Sequence, residues 1–93
     1  MRKNKLINKK ETKLGAKKCY FCEEDNYCSL DVHRIKEGQH GGRYTQDNTI
    51  VCCVNCHRKI HDGKIQIFRK YLSTKGQVLH YFNESGEERF DPI

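Results

Sequence analysis

LDVHRIKEGQHGGRYTQDNTIVCCVNCHRKIHDG, residues 30–63, is the stretch whose reading decides the fold. It opens on an alternating run, SLDVHRI at 29–35. As a strand, that run puts Leu30 and Val32 on one face and Asp31 and His33 on the other. Gly38, Gly41 and Gly42 mark 36–48 as a loop. Asn48 leads into a second strand-like segment, 49–54, and a short helix then starts at Val54 or Asn55. Gly63 is its stop signal. On that helix His57 and His61 are four residues apart and share a face.

Upstream of this stretch, Cys19 and Cys22 form a CxxC that matches Cys53 and Cys56. Two such pairs read as one four-thiolate zinc site, closed and therefore structural, because four thiolates leave no open position on the ion. Cys52 is adjacent to Cys53, but only Cys53 is spaced for CxxC with Cys56, and neighbouring strand residues point to opposite faces. Cys28 reads as a small buried hydrophobe. Tyr20 and Phe21 are expected to pack beside the metal.

The bulk composition agrees with a metal clamp. Ninety-three residues with 35% hydrophobic content and no Trp give a thin core, and small chains with thin cores often need a metal or disulfides. Six cysteines would suit a disulfide framework only in a secreted setting. The start of the chain, MRKNKLINKKETKLGAKK, lacks the apolar stretch of a signal peptide, and no run approaches the roughly 20 apolar residues of a membrane helix. The reading is therefore an intracellular, cytoplasmic protein with reduced thiols and no membrane role.

The net charge of +6 is unevenly placed. Residues 1–18 hold eight Lys/Arg against one Glu, whereas the rest of the chain holds ten against eleven. This predicts a flexible basic arm at 1–18, with at most one helical turn around Leu6, Ile7 and Leu14, and a polyanion as partner. Beyond Gly63, 65–72 reads as a strand, 74–77 as a turn and 78–82 as a returning strand. A second turn at 83–86 precedes a short strand near Phe90. This β-meander, 64–93, is expected to pack Ile67, Phe68, Leu72, Leu79 and Phe82, and to widen a DNA-binding face through Arg69, Lys70 and Lys75.

The order His33, Asn48, His57, set between and just after the paired cysteines, resembles the HNH endonucleases, whose core is the ββα-metal finger. The resemblance covers residues 19–63 and not the flanks. It implies an α+β fold in which strand, loop, strand and helix are clamped by the zinc. It implies metal-dependent hydrolysis of phosphodiester bonds in double-stranded DNA, by nicking or cutting. It also implies a second, catalytic divalent metal (Mg²⁺, Mn²⁺ or Zn²⁺) on His33, His57 and His61, with Asn48 bracing the loop or ligating metal. Small free-standing HNH proteins of phages and mobile elements resemble this chain, which would place it in a host cytoplasm.

The usual first motif of the family has a metal ligand followed directly by a general-base His. Framed by Val32 and Ile35, His33 takes the ligand position and Arg34 the base position. Counted back from Gly41-Gly42, His33 can take the base position instead. Arginine cannot act as a base near neutral pH, although it can stabilise charge on phosphate. The base would then be His40, Tyr44 or water activated at the metal. Arg34 at that position also gives weight to an alternative, a zinc-dependent DNA-binding module without catalysis.

Overall fold

The computed structural model describes residues 6–93. Among them are two helices and two antiparallel sheets, an α+β arrangement. β1 (Leu30–Arg34) pairs with β2 (Thr49–Cys53), Val32 opposite Val51 and His33 opposite Ile50. Two glycines shape the loop between them for different reasons. Gly41 has φ 87, a backbone conformation in which a side chain is strained. At Gly42 an added Cβ would lie 1.6 Å from the Lys36 carbonyl oxygen, so only glycine lets the loop close there. α2 (Val54–His61) follows β2 directly, and Gly63 at φ 82 turns the chain out of it.

Alternation along β1 decides what each face covers. Asp31 and His33 reach α2, where the Asp31 carboxylate lies 3.1 Å from His57. Leu30, Val32 and Arg34 take the opposite face, where α1 (Lys9–Ala16) lies. Lys13 Nζ donates to the Leu30 carbonyl at 3.3 Å, and the Lys9 ammonium sits 3.8 Å from the centre of the Tyr44 ring.

α1 corrects the reading of 1–18 as an arm with one helical turn at most. Asn8 caps the helix by accepting from the Glu11 N–H at 3.0 Å. Ile7 N–H donates to the Tyr44 carbonyl at 2.8 Å, and Leu6 forms a bridge with Thr45. The lysines that suggested an arm are good helix formers, so composition alone could not separate the two. None of the residues of α1 is buried, so caps and a few side-chain contacts hold it. Residues 1–5 of the expected arm lie outside the described residues.

β3 (Gln66–Ser73), β4 (Gly76–Phe82) and β5 (Glu88–Pro92) form the meander in that order. Its inner face joins the core through Leu79, fully buried, and Tyr81, which no pattern in the sequence singled out. Tyr81 meets Tyr20 and Phe21 of the turn at 19–22 edge to face, at ring separations of 6.1 and 5.3 Å. The Tyr20 hydroxyl is within 3.1 Å of the Asp91 carbonyl and 3.0 Å of the Pro92 carbonyl, joining that turn to β5.

Three expectations fail here. Phe68, Leu72 and Phe82 fall outside the buried cluster: Phe68 and Leu72 are 49% and 74% exposed, Phe68 and Phe82 lie on the outer face of the sheet, and Leu72 sits by the hairpin turn. Lys70 is not part of an open cationic face: its ammonium donates to the Gln46 and Thr49 carbonyls at 2.6 and 3.0 Å. Cys28 is exposed rather than buried, lifted out by the one-turn 3-10 helix at Tyr27–Ser29 that Asn26 caps. No helix among the described residues is long and apolar enough to cross a membrane.

Candidate metal centres

Cys19, Cys22, Cys53 and Cys56 bring their sulfur atoms within 4.8 Å of one another, with Cys22 and Cys53 at 3.5 Å. Zinc bound to sulfur at about 2.3 Å in a tetrahedron sets its ligand sulfurs about 3.8 Å apart, so the group fits the ion. Local backbone makes the site. Glu23, at φ 67, turns the chain back after the first pair. The Phe21 and Cys56 N–H groups donate to Cys19 Sγ and Cys53 Sγ at 3.3 and 3.4 Å. Cys53 is at once a candidate sulfur ligand and the cap of α2, where the helix dipole favours a thiolate. Cys52 stays outside this group. It is completely buried on the other face of β2, and burial, first among the causes, pushes its thiol far above the usual range, so it is a packing residue.

His33, His57 and His61 form a second group, each offering a ring nitrogen within 4.8 Å of the others. β1 supplies the first and one face of α2 the other two. The two Nε2 atoms of His57 and His61 are 3.2 Å apart. Ligand nitrogens at about 2.1 Å from a metal, at tetrahedral or right angles, lie about 3.0 to 3.4 Å apart, so these imidazoles also fit a divalent ion. Burial, then the nearby His57 and His61, hold the His33 ring down to about 4. It is therefore neutral at physiological pH, as a ligand must be.

Asp31 contacts this group and Glu37 lines the cleft beside it, neither assigned there by the sequence pattern. Asp31 Oδ2 lies 3.1 Å from His57 Nδ1, so the carboxylate can accept a hydrogen bond from Nδ1–H and leave Nε2 free for an ion. Its signal was present, since strand alternation puts it on the His33 face. Glu37 lines a cleft of about 360 Å³ together with His33, Ile35, His61 and Phe68. Nothing in the spacing marks it, because it reaches the cleft through an irregular loop.

Asn48 braces that loop. Its side-chain oxygen accepts from the Lys36 N–H at 2.8 Å, and its amide donates to the Lys36 and Arg43 carbonyls at 3.1 and 2.8 Å. All its side-chain hydrogen bonds among the described residues are spent on backbone, which suits bracing and not ligation. Arg34 and Tyr44 are not brought into the imidazole group. Arg34 takes the face of β1 opposite His33 and stacks over the Tyr44 ring at 4.5 Å, while Lys9 covers the same ring at 3.8 Å. His40 is exposed beside Glu37, 4.0 Å from its carboxylate. Comparison of the chain with protein-family models, with characterised proteins and with solved structures finds no match.

Proposed function

We propose that this protein is a metal-dependent endonuclease of the HNH type, built on a ββα-metal finger, that hydrolyses phosphodiester bonds in DNA. One observation carries the reading. Three imidazoles from β1 and α2 converge beside an open cleft, with a carboxylate behind one of them, next to a separate four-thiolate clamp. Structural metal sites seldom stand beside a cleft, whereas hydrolytic ones must. The order β1, loop, β2, α2 is that of the finger, and the net charge of +6 suits a polyanion.

His33, His57 and His61 would hold a catalytic divalent metal, and such an ion, when bound, neutralises charge on a phosphate and eases departure of the leaving oxygen. The chain's own groups do the rest. Asp31 fixes the His57 ring and its tautomer. Asn48 keeps the loop closed so that Glu37 stays at the cleft. Glu37, a carboxylate lining the cleft, would take the proton from water, since Arg34 and Tyr44 lie away from the imidazoles. Arg34 serves the loop by stacking on Tyr44.

The second reading, a zinc-dependent DNA-binding module without catalysis, draws on that same orientation of Arg34, since no histidine stands at the base position. Incubation of the zinc-loaded protein with supercoiled plasmid and Mg²⁺ or Mn²⁺ separates the two. Relaxation that requires the added ion is the expected result. Binding without relaxation under every ion would transfer the assignment to the binding module.

A further inference from the structure

The outer face of the meander carries a group of aromatic rings that the metal centres do not use. Along β4 the inward residues are Leu79 and Tyr81, so alternation turns Val78, His80 and Phe82 outward. His80 pairs in register with Phe90 of β5, and their rings lie parallel at 4.1 Å and 12°. The register shift between Ile67 and Arg69 falls at Phe68, whose ring lies 4.9 Å from His80 and 5.3 Å from Phe82. Phe68 and Phe90 are 49% and 55% exposed. Phe68 and Phe90 thus keep ring surface open to water on either side of His80, which is mostly covered.

We propose that this face is a stacking platform for unpaired nucleobases, and that it feeds a single-stranded segment of DNA toward the imidazole cleft. Its binding role stands by itself, and its link to cleavage rests on the endonuclease reading. Stacking on aromatic faces is how proteins hold single strands without reading sequence. Continuity carries the choice of occupant. Phe68 belongs both to the ring cluster and to the cleft lined by His33, Glu37 and His61. A base held against Phe68 brings its own sugar-phosphate to the mouth of that cleft. Arg69, the next residue, lies over the Tyr71 ring at 4.5 Å and adds an exposed cation beside the path. Among the described residues, the one carboxylate paired into this face, Glu88, lies 2.7 Å from His80 and is tied to it. Bases inside an intact duplex cannot offer their faces, so the substrate would be a flap, gap, bubble or frayed end. A second copy of this chain is the competing occupant, but the aliphatic content of the face is confined to Val78 and Pro92 at its far end.

The test uses full-length, zinc-loaded protein without an added second metal. It measures binding to a single-stranded oligonucleotide carrying a fluorescent aminopurine base, and to a blunt duplex of the same sequence, at one salt concentration. Quenching of the aminopurine and tighter binding of the single strand are expected. Phe90→Leu keeps the apolar bulk and removes the ring, and should weaken single-strand binding roughly tenfold while duplex binding and the melting transition stay unchanged. Phe90→Tyr should bind as the parent does. Equal single-strand binding by Phe90→Leu would overturn the platform, as would an unquenched base with no preference for single strands. A concentration-dependent dimer abolished by Phe90→Leu would assign the face to a second copy instead. Plasmid relaxation is a separate readout, so a failed platform leaves the nuclease reading standing, and a failed nuclease leaves the platform standing.

Discussion

His33 shows how one buried side chain can be tied to both stability and function. Burial, then the neighbouring imidazoles, depress its ring to about 4, against about 6.5 in an unfolded chain. Above about pH 6.5 the ring is neutral in both states and costs nothing. Between about 6.5 and 4 the unfolded chain takes up a proton that the fold refuses, so the native state loses stability as pH falls through that window. Denaturant unfolding of the parent and of His33→Gln should therefore diverge on going from neutral to mildly acidic buffer, the parent losing more. Parallel losses in the two proteins would count against a buried neutral ring. Asp31 acts one step further back. Asp31→Asn should keep the zinc-clamped fold but weaken uptake of the second metal about 10- to 100-fold, read by calorimetric titration with Mn²⁺. An unchanged affinity would mean that the carboxylate does not orient His57.

At the level of elements, α2 is expected to depend on a metal held by the four cysteines. Its cap, Cys53, is also a zinc ligand candidate, so losing the ion would remove a crosslink and expose the helix start at once. Cys53→Ser, or treatment of the parent with a strong chelator, should abolish the cooperative melting transition, because metal-binding free energy here is folding free energy. A chelated protein that keeps its full circular-dichroism signal would contradict this. Elements also divide by how legible they were. β1, β2 and α2 could be read because local signals agree: alternation at 29–35, glycines at 38–42, a shared histidine face and a stop at Gly63. α1 could not, because its lysines satisfy an arm and a helix equally, and its hold on the chain comes from Tyr44 and Leu30, which are distant in sequence. The same limit applied to Arg34. Its position next to His33 suggested the site, but alternation along the strand sends it to the other face, and the sequence does not say that Tyr44 waits there to receive it.

Over the whole molecule, the turn at 19–22, the β1–β2–α2 unit and the meander share one core through Cys19, Ile65, Leu79 and Tyr81. The meander's strands were legible from its turns, while the side facing inward was not, because Phe68, Phe82 and Tyr81 are equally good on either face. Charge acts at this scale too. Lys10 and Lys17 of the α1 segment are exposed. Replacing both by Gln should lower the slope of log affinity against log salt by about one unit for each phosphate they neutralise in the parent. An unchanged slope would exclude them from any DNA interface.

The central claim is that the three imidazoles form the hydrolytic centre. Plasmid nicking by parent, His33→Ala and His57→Ala proteins, each zinc-loaded and supplied with Mn²⁺, tests it most directly. Neither histidine belongs to the four-thiolate clamp, so both variants should melt and bind DNA as the parent does. Their nicking rates should fall by roughly 10² to 10⁴. Both variants nicking at the parental rate, in preparations free of contaminating nuclease, would contradict the account.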